Sequence, residues 1–282
     1  MAKFPIWATI RVASADVWAR KQTAARIWGV NLGFLLVAMA PSLFGPKGIL
    51  LSQLLQPAMV VVIGWMMARW AAAVVQRTTG SATASDYFWP TVRGVIKIYV
   101  LMILALITVA VLFVFAAVFT KLSHPAGGAM TLVAIAATGV ALWAGIRLSL
   151  LPSLASIGEG TSIKLAWRRS NGLTTNLLGL ALAAWLVFAA TFLLIVGVAF
   201  GAAILGSHFG WLQLPDLSDP AAIRDFNQSR FFRGAIMIIE VVAAPAMAWA
   251  YLTLIGAYVR VALQLSGKAS TPIAAPANPW IG

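Results

Sequence analysis

Apolar residues in this chain run in long blocks separated by short polar stretches, with no sustained alternation of polar and apolar positions. Six blocks fall at about 27–44, 49–75, 98–119, 128–151, 177–206 and 234–263. A helix needs ~20 apolar residues to cross ~30 Å of hydrocarbon, and a helix satisfies its own backbone groups there. The pattern predicts an all-α integral membrane protein with six transmembrane helices, forming one domain over 1–265. The first block is short for a crossing, and the fifth is long enough to tilt. Residues 266–282 are rich in Pro and Ala, which predicts a disordered cytoplasmic tail.

Composition agrees with the pattern. Of 282 residues, 61% are hydrophobic and 10% charged, against roughly 25% charged in soluble domains. With the N-terminus in the cytoplasm, only Lys47, Lys121, Arg224, Arg230 and Arg233 fall on the far side, and every other Lys and Arg falls inside. That bias follows the positive-inside rule and places both termini in the cytoplasm. A net charge of +13 would suggest nucleic acid in a soluble protein. Here the cations flank helix ends, so the expected partners are anionic membrane lipids and a membrane protein complex, with no nucleic acid. The first block begins only near Ile27 with no small-residue cleavage site after it, so no secretory signal is expected. Cysteine is absent, which excludes disulfides and thiolate chemistry.

A weak internal repeat lies beneath the hydropathy. A shift of 78 residues aligns Arg69 with Arg147, Gly80 with Gly158, Thr83 with Thr161, Trp89 with Trp167 and Gly94 with Gly172. Arg260 adds a third arginine near the end of an even-numbered block. The implied unit is an amphipathic interfacial elbow followed by an outward and an inward helix, giving units of about 14–75, 84–151 and 162–263. The elbows are expected at 14–26, with Trp18 and Arg20/Lys21, at 84–94, and at 162–171. In the third, Ile163, Ala166, Trp167 and Ser170 form one stripe and Gly172 is a helix stop. Pro90 should shorten or break the second. In the 5–6 connection, Asp219-Pro220 reads as an N-cap followed by Pro at N1.

Catalytic candidates are scarce. His124 and His208 sit in different loops, no metal-ligand spacing or phosphate-binding motif appears, and Asp216, Asp219 and Asp225 read as turn and cap residues. No enzyme activity, metal or cofactor is expected. Two constellations stand out. Glu240 in the sixth block and Gln53 and Gln56 in the second form an intramembrane polar site, a hydrogen-bonded or titrating position in an expensive environment. Arg69, Arg93, Arg147, Lys164, Arg168, Arg169 and Arg260 form a basic collar suited to lipid headgroups, with snorkelling as the simpler account of each alone. Pro57, Pro152 and Pro245 mark kinks or helix ends, and Gly197 and Gly201 form a GxxxG that favours close helix packing.

The runs Arg147-Leu-Ser-Leu-Leu-Pro152, Gly158-Glu159-Gly160 and Ala166-Trp167-Arg168-Arg169-Ser170-Asn171-Gly172 resemble a recurring bacterial pattern. It is similar to that of YciC-like inner-membrane proteins and of the membrane domain ahead of some glycerophosphodiester phosphodiesterases, over about 140–180. The resemblance implies a six-span fold in a bacterial inner membrane and carries no catalytic residue with it. The expected role is a non-enzymatic accessory or scaffold protein. The alternative is a small transporter or lipid-handling permease with a polar site near Glu240.

Overall fold

A computed structural model of the chain describes residues 5–44, 46–79, 87–121, 126–209 and 218–268. Among these there are helices and no strand. In order they are α1 (Ile6–Ala19), α2 (Lys21–Met39) with a 3-10 turn at Ala40–Phe44, α3 (Pro46–Thr79), α4 (Phe88–Lys121) and α5 (Ala126–Leu148). Then follow α6 (Leu151–Ser156), α7 (Ile163–Arg169), α8 (Thr174–His208), α9 (Pro220–Gln228) and α10 (Arg230–Leu265).

Five stretches are long and apolar enough to cross a membrane: Leu50–Gln76, Phe88–Lys121, Ala126–Ser156, Thr174–Val198 and Val241–Leu265. They match the second to sixth apolar blocks. The block at 27–44 is not among them. Its apolar part within α2, from Ile27 to Met39, rises only about 20 Å at ~1.5 Å per residue before the helix tightens into the 3-10 turn.

The expected elbows take three different forms. The first lies earlier than 14–26, because α1 runs from Ile6 to Ala19 and breaks at Arg20, where α2 begins. Asp16 and Val17 carbonyls both accept from the Arg20 amide at that break. Trp7 and Trp18 stand exposed on α1 while Ala8, Thr9, Ala13, Asp16 and Val17 are buried, so the helix is two-faced. At the second position no separate elbow exists among the described residues. Phe88-Trp89-Pro90 opens α4, where a proline in the first turn breaks no intrahelical bond. The third is α7 as expected, capped by the Ser162 hydroxyl, which accepts from the Leu165 amide at 3.4 Å. Gly172, with φ of 74°, stops the chain after it. Gly94, its partner under the 78-residue shift, lies inside α4 instead, packed so closely on α6 that a Cβ would come within 3.3 Å of Pro152 Cα. Gly80 and Thr83 lie outside the described residues.

Core packing is concentrated at one end of the bundle. The largest fully buried side chains include Met66, Trp70 and Val74 of α3, Leu150, Leu151 and Leu154 at α6, Leu173, Leu177 and Leu180 at the start of α8, and Leu252 and Leu263 of α10. Only 6% of the most apolar stretch is buried in each of α4, α5 and α8, against 56% in α3 and α10. So α3 and α10 are the inner helices, and α4, α5 and α8 turn most of their apolar surface outward. Block four ends at Leu148, and after a turn the chain folds into α6, whose every residue is buried. Pro152 sits in the first turn of α6, where its ring fits. Pro57 and Pro245 stay inside continuous helices. The GxxxG of α8 packs on no other helix among the described residues, since a methyl group at Gly197 or Gly201 would meet none of their atoms within 4 Å.

Gly256 of α10 is where the core is tightest. A Cβ there would lie 3.2 Å from Trp70 Nε1 and 3.4 Å from Ala13 Cβ, so α1, α3 and α10 meet at that point. Gly256→Val should therefore overpack the core and cost about 1–3 kcal/mol. Thermal unfolding in detergent should show the loss, while Gly139→Ala inside α5, where no described atom lies within 4 Å, should not lower the melt, since alanine suits a helix interior better than glycine.

Candidate functional site

The basic residues gather at the packed end, where α3, α5, α6 and α10 finish and α2, α4 and α8 begin. The last carbonyls of a helix have no intrahelical donor and carry partial negative charge, so cations are favoured there. The structure divides the expected collar into residues that protein groups already hold and residues that stay open.

Arg147 is the most deeply held, with 7% of its surface exposed. Its Nε donates to Ser170 Oγ at 3.2 Å and one terminal nitrogen donates to the Trp167 carbonyl at 2.7 Å. The Asn171 side-chain oxygen accepts from the same nitrogen at 3.4 Å. The guanidinium lies 4.2 Å from the Trp167 ring centre and 5.2 Å from that of Trp143, and the two indoles meet edge to face at 4.9 Å. Arg147 therefore closes the carboxyl end of α7 while lying between two aromatic faces. Its partners among the described residues are all neutral.

Arg260 is paired. Its Nε donates to Asp16 Oδ2 at 2.7 Å, and Asp16 has only 1% of its side chain exposed. A second tie between the same helices runs from Trp249 Nε1 to Ser14 Oγ at 3.1 Å. Arg169 donates to the Leu265 carbonyl at the end of α10 and sits 3.6 Å from Glu159 Oε2. These three arginines serve internal contacts, which a sequence-based collar does not distinguish from headgroup contacts.

Two helix ends are joined to each other. Gly158 and Gly267, with φ of 79° and 73°, each place the following amide on a carbonyl five residues back, Glu159 on Leu154 and Lys268 on Leu263. The side chains of those following residues then meet, with Lys268 Nζ 2.9 Å from Glu159 Oε1 and 3.1 Å from the Ile157 carbonyl. The start of the expected tail is thereby pinned at Lys268, while 269–282 lie outside the described residues. Lys97 of α4 adds a similar stitch, donating to the Thr161 carbonyl at 2.8 Å.

The open cations are Arg69, Arg93, Lys164 and Arg168, all exposed. Arg69 does not stand alone. It faces Arg20 and Arg26 across a cleft of about 430 Å³ between α2 and α3, also lined by Thr23, Trp65 and Gln76. Sequence reading missed this grouping, and Arg26 with it. The signal was the spacing of 20, 23, 27 and 30 against 65, 69, 72 and 76, which becomes informative only once the two helices are known to pack side by side.

Gln53 is exposed on α3, and the side chains of Gln56 and Glu240 lie outside those described. His124 and Asp216 also lie outside the described residues. His208 ends α8 with its ring 5.6 Å from Phe209. Asp219 caps α9 as expected, accepting from the Ala221 amide at 2.8 Å. No family model, characterised protein or solved structure matches the chain.

Two experiments test the internal ties. Arg147→Ala should lower stability by about 2–3 kcal/mol through loss of charge-assisted bonds and shift the emission of Trp143 and Trp167 to longer wavelength. Arg147→Lys should rescue neither, because an ammonium lacks the planar fork and the stacking face. Asp16→Asn and Arg260→Gln should each cost about 3–5 kcal/mol by breaking a buried ion pair. The double variant should lose clearly less than the sum, a coupling readable from thermal melts of the four proteins.

Proposed function

We propose that this chain is a non-enzymatic accessory or scaffold protein of a bacterial inner membrane, acting through contacts with anionic lipids or a membrane protein complex. The observation that carries the reading is a juxtaposition. The exposed cations Arg93 of α4 and Lys164 and Arg168 of α7 stand at the packed end of a bundle whose α4, α5 and α8 turn their apolar surfaces outward, and Arg69 faces the cleft between α2 and α3 at that same end. Cations at the edge of an apolar belt meet phosphate headgroups at the depth where lipid chains cover the helices. The positive-inside count supports placing that end, and both termini, in the cytoplasm. α2 with its 3-10 turn completes six crossings in this reading, and Arg69, Arg147 and Arg260 near the same end of α3, α5 and α10 support a three-unit ancestry. The likeness of residues 140–180 to YciC-like membrane proteins supports the same location.

Native mass spectrometry on the full chain after mild extraction tests the proposal, alongside solute uptake into sealed vesicles. The expected result is an anionic phospholipid or a stoichiometric protein partner retained on the chain, with no solute moved. Transport of a defined solute would overturn it, as would bulk lipid retained in its native proportions without any partner.

A further inference from the structure

The cleft between α2 and α3 has the chemistry of an anion site. One wall is a single stripe of α2 and its N-cap, Arg20, Thr23, Ile27 and Val30, with Arg26 beside it; the other is Trp65, Arg69 and Gln76 of α3. Three guanidinium groups face a volume of about 430 Å³, within the ~300–1,000 Å³ of small-ligand sites. No carboxylate lines it among the described residues. Arg20, Arg26 and Arg69 make no side-chain hydrogen bond or ion pair among the described residues, in contrast to Arg147, Arg169 and Arg260 nearby. Arg69 rests 5.9 Å from the Trp65 ring centre, a contact that orients the guanidinium while leaving its N–H edge free.

Two further observations point to the same ligand. The α2 amino end, beside Arg20 in the cleft wall, has neither a side-chain cap nor an acid in its first turn, so its partial positive charge adds to that of the arginines. The walls are also graded. The two helices run in opposite directions, so Arg20 and Gln76 share one end of the cleft, Arg26 and Arg69 the middle, and Val30 and Trp65 the other end. From Arg20 to Val30 is about 15 Å along the helix. A phosphate at the arginines would leave any attached acyl chain running over Val30 and Trp65.

We infer that this cleft binds a phosphate-bearing anion, held by Arg20, Arg26 and Arg69 with Thr23 as an added donor. The inference rests on the lipid-contact reading above and narrows it to one site. The test uses the full chain and two probes, phosphatidylglycerol in micelles and inorganic phosphate, with binding read by native mass spectrometry and by thermal shift. For a lipid ligand, one phosphatidylglycerol per chain should survive extraction and inorganic phosphate should not displace it. For a free anion, inorganic phosphate should raise the melting temperature and phosphatidylglycerol should add nothing. In either case Arg26→Gln/Arg69→Gln should weaken binding at least tenfold, and Arg93→Gln/Arg168→Gln, equal in charge but away from the cleft, should not.

Thr23→Trp keeps all three charges and fills the cleft, so it should abolish binding too and covers the case in which the double variant fails to fold. Failure of both probes to bind would overturn the inference, and so would cleft variants that bind as tightly as the unaltered chain. An anionic lipid retained equally by the cleft variants would refute this site while leaving the lipid-contact reading intact. A chain that holds no anionic lipid or partner at all would fail both.

Discussion

A helix that ends where water is scarce leaves four carbonyls without donors, and something in the protein must supply them. Several helices of this chain end close together at one end of the bundle, which concentrates that demand in a small volume. The chain meets it with glycine-terminated turns at Gly158 and Gly267 and with cations placed on carbonyls, Arg147 on Trp167, Arg169 on Leu265 and Lys268 on Ile157. These cations are thus structural. They hold short connections against the ends of long helices and let the apolar side chains beneath them pack.

That arrangement explains why the bundle is so uneven. Trp70, Leu154, Leu177 and Leu252 are fully buried near the joined ends, where short elements fill the gaps between long ones. Farther along, α4, α5 and α8 keep their apolar faces outward. In a hydrocarbon surrounding, such faces need no protein cover, because exposure to lipid carries little of the penalty that exposure to water does. The same composition in water would demand a far larger core.

The long helices were legible because a membrane crossing is set by a local property, the length of an apolar run. The block at 27–44 is harder to read, because Lys21 and Arg26 occupy the start of α2 and the 3-10 turn ends it early. The third elbow was legible too, since Ser162 and Gly172 are local signals for a start and a stop. The fates of the arginines were not. Arg69 and Arg147 occupy matching places in sequence, yet one is open and the other lies between two indoles, because only Arg147 has α7 folded back upon it. Asp16 gave no sign of its partner, which lies at the far end of the chain. Tertiary partners decide such cases, and no local pattern encodes them.

The Asp16–Arg260 pair joins residues 244 positions apart, and this separation governs how the protein can be made. At roughly 5–20 residues per second, a ribosome delivers the arginine on the order of ten to fifty seconds after the aspartate. Throughout that interval α1 lacks both the arginine that binds Asp16 and the α10 surface on which Ala13 packs. The packing of α1 is therefore complete only once α10 is in place. A product truncated before α10 would lack both the charge that Arg260 brings to Asp16 and the Gly256 surface on which Ala13 packs.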